Sequence, residues 1–345
     1  MSDEAIDPRE LQLSIREVMD AEAPSDHVHK LYDSGAALDV ALVRTAASLG
    51  WYALGVGEEQ GGLGLGLAGL CVLYEELGRA PATLPMLPTM VVAEAIAASG
   101  DAKVQEAWLG RLLAGEVHAA WAHGFNVMLD EGKLSGTLHV VPDGVQAGLF
   151  LISMPGGAAL VVADAPGLTV TQVGAVDRTR TLATLAFAGV AATPIAVNPD
   201  MLDRHAWLGI ASDSIGGAAS ILERTVEYMK VRTQFGQPIG SFQALKHRVA
   251  NHKLRLEQAA GIVREAVHVG QDDPKAPGLA ALAKVMAADA YAAIADDAVQ
   301  LHGGIGYTWE QDCHIFLKRA RLNQMLFGSA EQLLDMSAMC LTEAV

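Results

Sequence analysis

Residues 231–243 read VRTQFGQPIGSFQ, and residues 300–313 read QLHGGIGYTWEQDC. In the first segment a helical pattern runs into a Gly-Pro turn, and Ser241 stands where it can cap the next helix. Arg232 lies in the last turn before that break, close to the aromatic Phe235. An arginine there can complement the dipole of a helix C-terminus, or it can present its planar fork of donors to a diphosphate.

The second segment places glycines at 303, 304 and 306, at the end of a long helical pattern. Without side chains the backbone there can approach a ligand closely and present its amide groups. A helix stop of the Schellman type is the structural alternative, and it is sufficient for Gly303 taken alone.

Around these segments the spacing of apolar residues changes twice along the chain. The N-terminal part has apolar positions three and four apart, which predicts helices. Short runs rich in Val, Leu, Ile and Thr follow, separated by Gly, Pro and Asp, and they predict an antiparallel β domain. Helical blocks return after Pro199. We therefore predict an α+β multidomain protein: an N-terminal helical domain at 1–115, a shortened middle β domain at 116–198 and a C-terminal four-helix bundle at 199–345.

Each of these segments comes from a definite pattern. The predicted helices are 9–22, 39–49, 67–77 and 104–113, then 204–233, 241–270, 278–301 and 310–326. The predicted strands are 134–141, 149–154, 158–163, 168–173 and 181–187.

Composition excludes several classes of protein. The chain has 345 residues, 51% of them hydrophobic and 19% charged, so it is expected to fold rather than remain disordered. A net charge of −16 disfavours nucleic acid and anionic membrane surfaces as partners. No apolar run reaches the roughly 18–20 residues that a spanning helix needs, so we expect no membrane insertion. The acidic start MSDEAIDPRE has no secretory pattern, which predicts a cytoplasmic protein.

Other candidate motifs carry little chemistry. The glycine-rich stretch 61–66 follows no strand, so it is better explained as a turn between helices than as a dinucleotide fingerprint. Three cysteines at wide spacings, Cys71, Cys313 and Cys340, fit neither a disulfide framework nor a metal site. The eleven histidines form no HxxxH or HExxH pattern with a third ligand, so no metal site is predicted.

Taken together, the helix–strand–helix order and the segments RTQFGQPIGSFQ and QLHGGIGYTWEQD make the chain resemble the acyl-CoA dehydrogenase family. EEQGGLGLGL at 58–67 and YEELGRA at 74–80 are similar to that family too, so the likeness spans nearly the whole chain. The resemblance implies an oxidoreductase acting on CH–CH donors. A carboxylate takes the α proton of an acyl-CoA thioester while FAD accepts the β hydride.

The resemblance also implies cofactor-binding residues. In this family the ADP half of FAD reaches across a subunit interface onto the neighbour's C-terminal helices. Carried over, Arg232 meets the diphosphate, Phe235 packs near the adenosine half, and Gln300, Gly303 and Gly304 hold the rest of it.

Two features of the middle domain depart from the family pattern. The family has a Thr-Glu-Pro-x-Ala-Gly-Ser-like loop and a Trp-Ile-Thr-Asn strand around the flavin ring. Here the corresponding stretches are Trp121–Asn126, WAHGFN, and Leu138–Pro142, LHVVP. Both elements that hold the flavin ring are therefore missing.

The family's catalytic base is absent from both of its usual positions. Phe327 occupies one of them, and Ala206 falls at the other. Asp213, seven residues on and roughly on the same helical face, is the tentative substitute. A structural role for Asp213 as a polar group near a helix end or an interface is the alternative.

A degenerate short subunit accounts for these departures. The chain is similar to the short chains of actinobacterial α2β2 acyl-CoA dehydrogenases of steroid degradation, in which a full-length partner supplies the ring-binding loop and the base. Its C-terminal helices would complete the partner's FAD site within a heterotetramer. Two alternatives remain open: a homomeric enzyme that uses Asp213 as base, and a flavin-free structural subunit. The sequence does not name the acyl group, the partner chain or the electron acceptor.

Overall fold

The computed structural model describes the backbone of residues 7–343 and the side chains up to Thr342. The stretch 1–6, which carries most of the acidic start used to predict the location, lies outside the described residues, as do the last two residues of the C-terminal domain. Within the described range the chain runs from helices through strands and back to helices, so the predicted fold class is confirmed.

Six α-helices precede the first strand in the described residues, and aspartates begin several of them. The carboxylate of Asp7 accepts a hydrogen bond from the Arg9 amide, and the Asp101 carboxylate accepts from the Val104 amide, which satisfies groups that helices leave unpaired. The helices are α1 (Pro8–Glu22), α2 (Ser25–Ser34), α3 (Val40–Ser48), α4 (Gly66–Arg79), α5 (Met86–Ala98) and α6 (Ala102–Leu113).

Eight strands form two four-stranded sheets. The strands are β1 (Ala119–His123), β2 (Val127–Asp130), β3 (Lys133–Pro142), β4 (Leu149–Met154), β5 (Gly157–Val162), β6 (Leu168–Val173), β7 (Leu182–Ala191) and β8 (Thr193–Ile195). One sheet has the order β1-β4-β5-β8 and the other β2-β3-β7-β6. Buried side chains from both sheets, among them Phe150, Leu185 and Phe187, share one apolar core.

The β domain differs from its prediction in two respects. β1 pairs with β4 in parallel, whereas all the other pairs of these eight strands are antiparallel. β1, β2 and β8 were missed because they are only three to five residues long and lack a clear alternation of buried and exposed positions.

Five α-helices follow the two sheets in the part of the chain that the structure describes, where the sequence predicted four helical blocks. They are α7 (Pro199–Val231), α8 (Gln243–His268), α9 (Ala276–His302), α10 (Cys313–Met325) and α11 (Ala330–Glu343), with the short strands β9 (Thr233–Gln234) and β10 (Gln237–Pro238) between α7 and α8. α9 packs against α8, α10 and α11. Its contacts are close because its surface is rich in small residues: a Cβ added to Gly278 would lie 2.8 Å from the Cβ of Cys340.

α9 corrects the expectation that no apolar run is long enough to span a membrane. Together with the turn that follows it to Tyr307, this helix is long and apolar enough to cross a membrane by length and composition alone. However, 72% of its apolar window is buried inside the protein, as in the core helix of a bundle. Packing against its neighbouring helices accounts for its composition.

The described chain forms two compact units that do not follow the three predicted segments. One contains the residues up to Lys30, Cys71–Ala82 and everything from Trp207 onward; the other contains Leu31–Leu70 and Thr83–Ala206. The boundaries at 115 and 198 therefore stay a prediction. The two characteristic sequence segments, 231–243 and 300–313, both lie in the first unit, which we call the helical unit.

Candidate functional site

A tight hairpin follows the end of α7. β9 and β10 pair through Gln234 and Gln237, and the two residues between them, Phe235 and Gly236, have φ values of 54° and 80°. The Ile239 amide donates to the Arg232 carbonyl at 2.8 Å, which closes the base of the hairpin. The Phe235 side chain is 92% exposed and that of Arg232 is also exposed. The hairpin therefore presents an aromatic ring and a guanidinium to solvent.

The glycine segment that ends α9 is similarly open. Gly303 has a φ of 66°, and a Cβ added to Gly303 or Gly304 would meet no atom within 4 Å. Gly306 differs, because a Cβ there would lie 2.6 Å from the Val299 carbonyl oxygen. Tyr307 is 88% exposed. Packing inside the chain therefore explains Gly306, while the space around Gly303 and Gly304 is open.

The fold brings these two segments together. Leu301 packs with Met229 and Ile239 in a small buried cluster. The ring of Tyr228 stacks on His302, with 4.3 Å between centroids, and its hydroxyl donates to the His302 carbonyl at 3.2 Å. The hairpin and the glycine segment thus form one surface. Sequence reasoning missed the Tyr228–His302 stack, because no local pattern links residues so far apart.

Gln300, the remaining predicted cofactor residue, is exposed in an open groove of about 660 Å³ between α8 and α9. Arg248 and His252, one turn apart on α8, both contact the Asp297 carboxylate, and His252 Nε2 lies 2.8 Å from it. Burial, together with the charges of Arg255 and Arg248, lowers the pKa of His252. The i, i+4 spacing on α8 was the only sequence signal for this pair.

Asp213 lies in a closed cluster of polar side chains. Its carboxylate accepts from Arg319 at 3.2 and 2.5 Å and from the Asn323 amide at 2.8 Å, and the residue is only 3% exposed. α7 and α4 cross closely here, because a Cβ on Gly78 would lie 2.0 Å from the Asp213 carbonyl oxygen. We call Asp213, Arg319 and Asn323 the Asp213 cluster. Its contacts favour the structural interpretation of Asp213 over a role as base.

The two usual base positions differ in exposure, since Phe327 is partly buried and Ala206 is buried. Phe327, with a φ of 57°, accepts a hydrogen bond on its carbonyl from the indole of Trp207 at 2.7 Å. Lys284 donates to the Gly328 carbonyl at 2.8 Å, and burial lowers the pKa of this lysine to about 8. Ala206 is fully buried in α7. Apolar or backbone atoms therefore occupy both positions.

The segment that replaces the flavin-ring loop has contacts of its own. The ring of His123 lies between those of Trp121 and Phe125, at 4.8 and 5.4 Å, and its Nε2 is 2.8 Å from an Asp203 carboxylate oxygen. In the second departing stretch, β3 bulges between Leu138 and Val141. Val140 there has a φ of 60° and is half exposed. Within residues 7–343, no group of three or more His, Cys, Asp or Glu side chains is arranged to hold a metal ion.

Comparison with known proteins gives the family. The family description "Acyl-CoA dehydrogenase, N-terminal domain" matches residues 7–116, and "Acyl-CoA dehydrogenase, C-terminal domain" matches residues 204–342. The chain is 34% identical over 293 residues to the acyl-CoA dehydrogenase IpdE2 of Mycobacterium tuberculosis, covering 83% of this chain and 81% of that protein. The chain belongs to the acyl-CoA dehydrogenase family. The resemblance inferred from its sequence is thereby confirmed.

Solved structures of similar fold include two whose names join two proteins. The ChsE4–ChsE5 complex from Mycobacterium tuberculosis contains a chain 25% identical, with a TM-score of 0.88 and 99% of each chain covered. The Tcur3481–Tcur3483 steroid ACAD G363A variant contains a chain 29% identical, with a TM-score of 0.86 and 97% of this chain and 98% of that one covered.

The members of the acyl-CoA dehydrogenase family are oxidoreductases, and they typically bind FAD. The C-terminal family match, residues 204–342, contains both open segments and the Asp213 cluster. The acyl-CoA dehydrogenase fold thus carries, in one helical unit, an open surface and a closed one.

Proposed function

We propose that this chain is the complementing subunit of a heteromeric, flavin-dependent acyl-CoA dehydrogenase. A full-length partner pairs with it in a heterotetramer, and the substrate is an acyl-CoA thioester with a steroid-derived acyl group. One observation carries the proposal: the hairpin and glycine segment stay open and exposed, whereas Phe327 and Ala206 have no basic group and the Asp213 carboxylate is buried against Arg319.

The open surface fits the ADP half of FAD. The guanidinium of Arg232 is exposed and can bridge two phosphate groups with its planar fork of donors. Phe235 offers a solvent-exposed ring, which suits stacking against a base. At Gly303 and Gly304 a ligand can approach the backbone without meeting a side chain.

When bound, the flavin supplies the hydride acceptor for oxidation of the α–β carbon bond of the thioester. The residues of this chain contribute binding and orientation. Arg232 balances the diphosphate charge, the segment Gly303–Tyr307 approaches the dinucleotide with its backbone, and Gln300 adds an amide that donates and accepts. None of these residues moves a proton.

The proton acceptor comes from the partner in this proposal. A general base must be within reach of the α proton and able to bind it. Phe327 and Ala206 have no basic group, and both oxygens of Asp213 are already bonded to Arg319. The partner also supplies the elements that hold the flavin ring, since this chain has WAHGFN and LHVVP in their places.

The comparisons support the heteromeric arrangement. Both named structures with at least 25% identity join two proteins, ChsE4 with ChsE5 and Tcur3481 with Tcur3483, and the second is described as a steroid acyl-CoA dehydrogenase. We extend these two properties, a two-protein assembly and a steroid-derived substrate, to the present chain.

Visible absorption of purified protein tests the proposal. The chain is purified alone and after co-expression with a candidate full-length acyl-CoA dehydrogenase. We expect flavin only in the complex, at about one FAD per two chains, since each shared site needs one chain of each kind. Flavin bound to the chain alone would instead support the homomeric enzyme.

Variants of Arg232 locate the cofactor contact. In the complex, Arg232→Ala is expected to lose most of the FAD, while Arg232→Lys retains part of it, because an ammonium keeps the charge but not the two-pronged geometry. Arg264→Ala, an exposed arginine on α8, is the matched control and should retain full FAD. Full FAD retention by Arg232→Ala would point to a flavin-free structural subunit.

A further inference from the structure

The glycine segment Gly303–Tyr307 is one short 3₁₀ turn with few side-chain contacts of its own. Side chains added at Gly303 or Gly304 would touch nothing, Ile305 is 40% exposed and Tyr307 is 88% exposed. Backbone amides bind a ligand well only if they are already held in the binding geometry, since ordering them on binding reduces affinity. Contacts made by the residues on either side of this turn therefore matter for holding its conformation.

A stacked imidazole stands on each side of the segment. Before it, His302 stacks on Tyr228 at 4.3 Å with 19° between the ring planes. After it, His314 stacks on Trp309 at 4.5 Å and 20°. The Lys318 ammonium lies 4.4 Å from the centre of the Trp309 ring, which adds a cation–π contact. Both ends of the segment are thus anchored by flat ring contacts.

The carboxylate of Asp312 joins the second anchor to two other helices. Its Oδ1 accepts from the Ser25 hydroxyl at 2.6 Å and lies 2.7 Å from His29 Nε2, both on α2. Its Oδ2 is paired with Arg224 on α7. The His29 ring also meets the His314 ring edge-on at 5.8 Å. One carboxylate therefore ties α2 and α7 to the chain five residues after the glycine segment.

This arrangement is more than a surface ion pair. The Asp312 side chain is 19% exposed and that of His29 is 18% exposed, so water competes only weakly for their contact. An exposed pair on the same helix, Lys30 with Asp26, has both side chains more than 70% exposed and is expected to contribute little. α2 thus offers a strong and a weak acidic contact within a few residues.

We propose that Asp312 and the Trp309–His314 stack are positioning residues that hold Gly303–Tyr307 in its cofactor-binding conformation, with α2 as the supporting element. They do not touch the cofactor. The inference rests on the proposed function, because the segment needs a fixed shape only if it binds the dinucleotide. It assigns a role to the N-terminal helix α2 in a site built from C-terminal helices.

Amide hydrogen exchange on the chain alone is the first test. Asp312→Asn removes the charge that Ser25, His29 and Arg224 share, so exchange at residues 303–308 should accelerate at least about threefold. Asp26→Asn, which breaks the exposed pair with Lys30, is the matched control and should leave exchange there unchanged. Unchanged exchange in Asp312→Asn, or equal acceleration throughout the helical unit, would overturn the positioning role.

FAD retention by the complex is the second test. Asp312→Asn should release FAD about tenfold faster than Asp26→Asn, a change of about 1.4 kcal/mol. Trp309→Ala should behave like Asp312→Asn, whereas Trp309→Phe keeps a ring for the stack and should restore retention. Retention unaffected by Asp312→Asn and Trp309→Ala, but lost in Arg232→Ala, would refute the positioning role alone. Retention unaffected by Arg232→Ala would refute the proposed function as well.

Discussion

The hairpin with its glycine segment and the Asp213 cluster lie in the same helical unit. They differ in how far their side chains are exposed and paired within the chain. In the hairpin a non-glycine residue, Phe235, takes a left-handed conformation and leaves its ring 92% exposed. In the cluster the buried Asp213 carboxylate accepts hydrogen bonds from Arg319 and Asn323. The Phe235 ring thus has little contact with the rest of the chain, whereas the Asp213 carboxylate is hydrogen-bonded within it.

This difference separates binding from chemistry. A left-handed phenylalanine costs roughly 1–2 kcal/mol, and nothing that the exposed ring touches in this chain offsets it apart from an edge contact with Phe242. In the proposed function, a contact between the exposed ring and the cofactor offsets this cost. The Asp213 cluster has no such deficit, so it needs no ligand to explain it. Among the described residues of the helical unit, the hairpin exposes its ring and the Asp213 carboxylate is bonded internally.

The largest expected effect is on the closed region. Asp213→Asn leaves the buried guanidinium of Arg319 without its counter-charge and should lower the free energy of unfolding by about 3–5 kcal/mol in chemical denaturation. Asp272→Asn, at an exposed aspartate of the same unit, should change it by less than about 0.5 kcal/mol.

A double variant keeps this prediction testable even if Asp213→Asn does not fold. Asp213→Leu with Arg319→Met removes both charges at once and should be less destabilised than Asp213→Asn, because no buried charge is left unpaired. If Asp213→Asn were as stable as the control and the complex lost only its catalytic rate, Asp213 would act as a base and the contrast between the two regions would be wrong.

Substitution of two glycines should give the next largest difference in stability between the closed and the open region. A Cβ on Gly216 would lie 1.8 Å from the Glu75 carbonyl oxygen, so Gly216→Ala should force α7 and α4 apart and lower stability by about 1–3 kcal/mol. Gly304→Ala meets no atom of the chain and should leave stability within about 0.5 kcal/mol of the wild type. Thermal unfolding of the chain alone measures both.

The complex then completes the comparison. If the dinucleotide approaches the backbone at residue 304, Gly304→Ala should lower FAD content even though the chain folds normally. Normal FAD content in a complex made with Gly304→Ala would mean that the space there is not used by the cofactor.

The same contrast explains what the sequence could predict. Local patterns located most helices, most strands, the turn after Arg232 and the glycine segment, because turn residues and apolar spacing are read within a few positions. They did not find the partner of Asp213, since Arg319 is 106 residues away. α11 was missed at the chain end. Each of the two open segments is built from adjacent residues and was predictable, whereas their meeting through Tyr228 and His302 and the closed cluster join distant residues.

Acid should weaken the open region first. Burial lowers the pKa of His302 and His314 below the ordinary 6.5, with the charge of Lys318 a further cause at His314. The unfolded chain therefore takes up protons before the folded one as pH falls through 6.5, and stability drops over the interval below that value; above it, both states are neutral and nothing changes. We expect this to appear as loss of exchange protection at 303–308.

The Asp213 cluster serves as the internal reference for that measurement, since the contacts described for it include no histidine. After correction for the intrinsic effect of pH on exchange, protection around residue 213 should persist at a pH where residues 303–308 have lost theirs. Equal losses in both regions would mean that acid acts on the whole unit and not through the two stacked imidazoles.

The smallest effect is also the most direct test of the strain at the hairpin. Phe235 and Gly236 form a two-residue turn with both φ values positive, for which Asn-Gly is the favoured pair. Phe235→Asn should therefore raise the stability of the chain alone by about 1 kcal/mol, because asparagine tolerates the left-handed region better than phenylalanine. Phe235→Ala keeps most of the strain and loses the ring, so its stability should stay near that of the wild type. Both variants should lose FAD from the complex, since both lack the exposed ring. If Phe235 lowers the stability of the chain alone but is needed for FAD retention, its ring stabilises the complex and not the isolated chain. If the Phe235→Asn complex is more stable and retains its FAD, the exposed ring binds nothing.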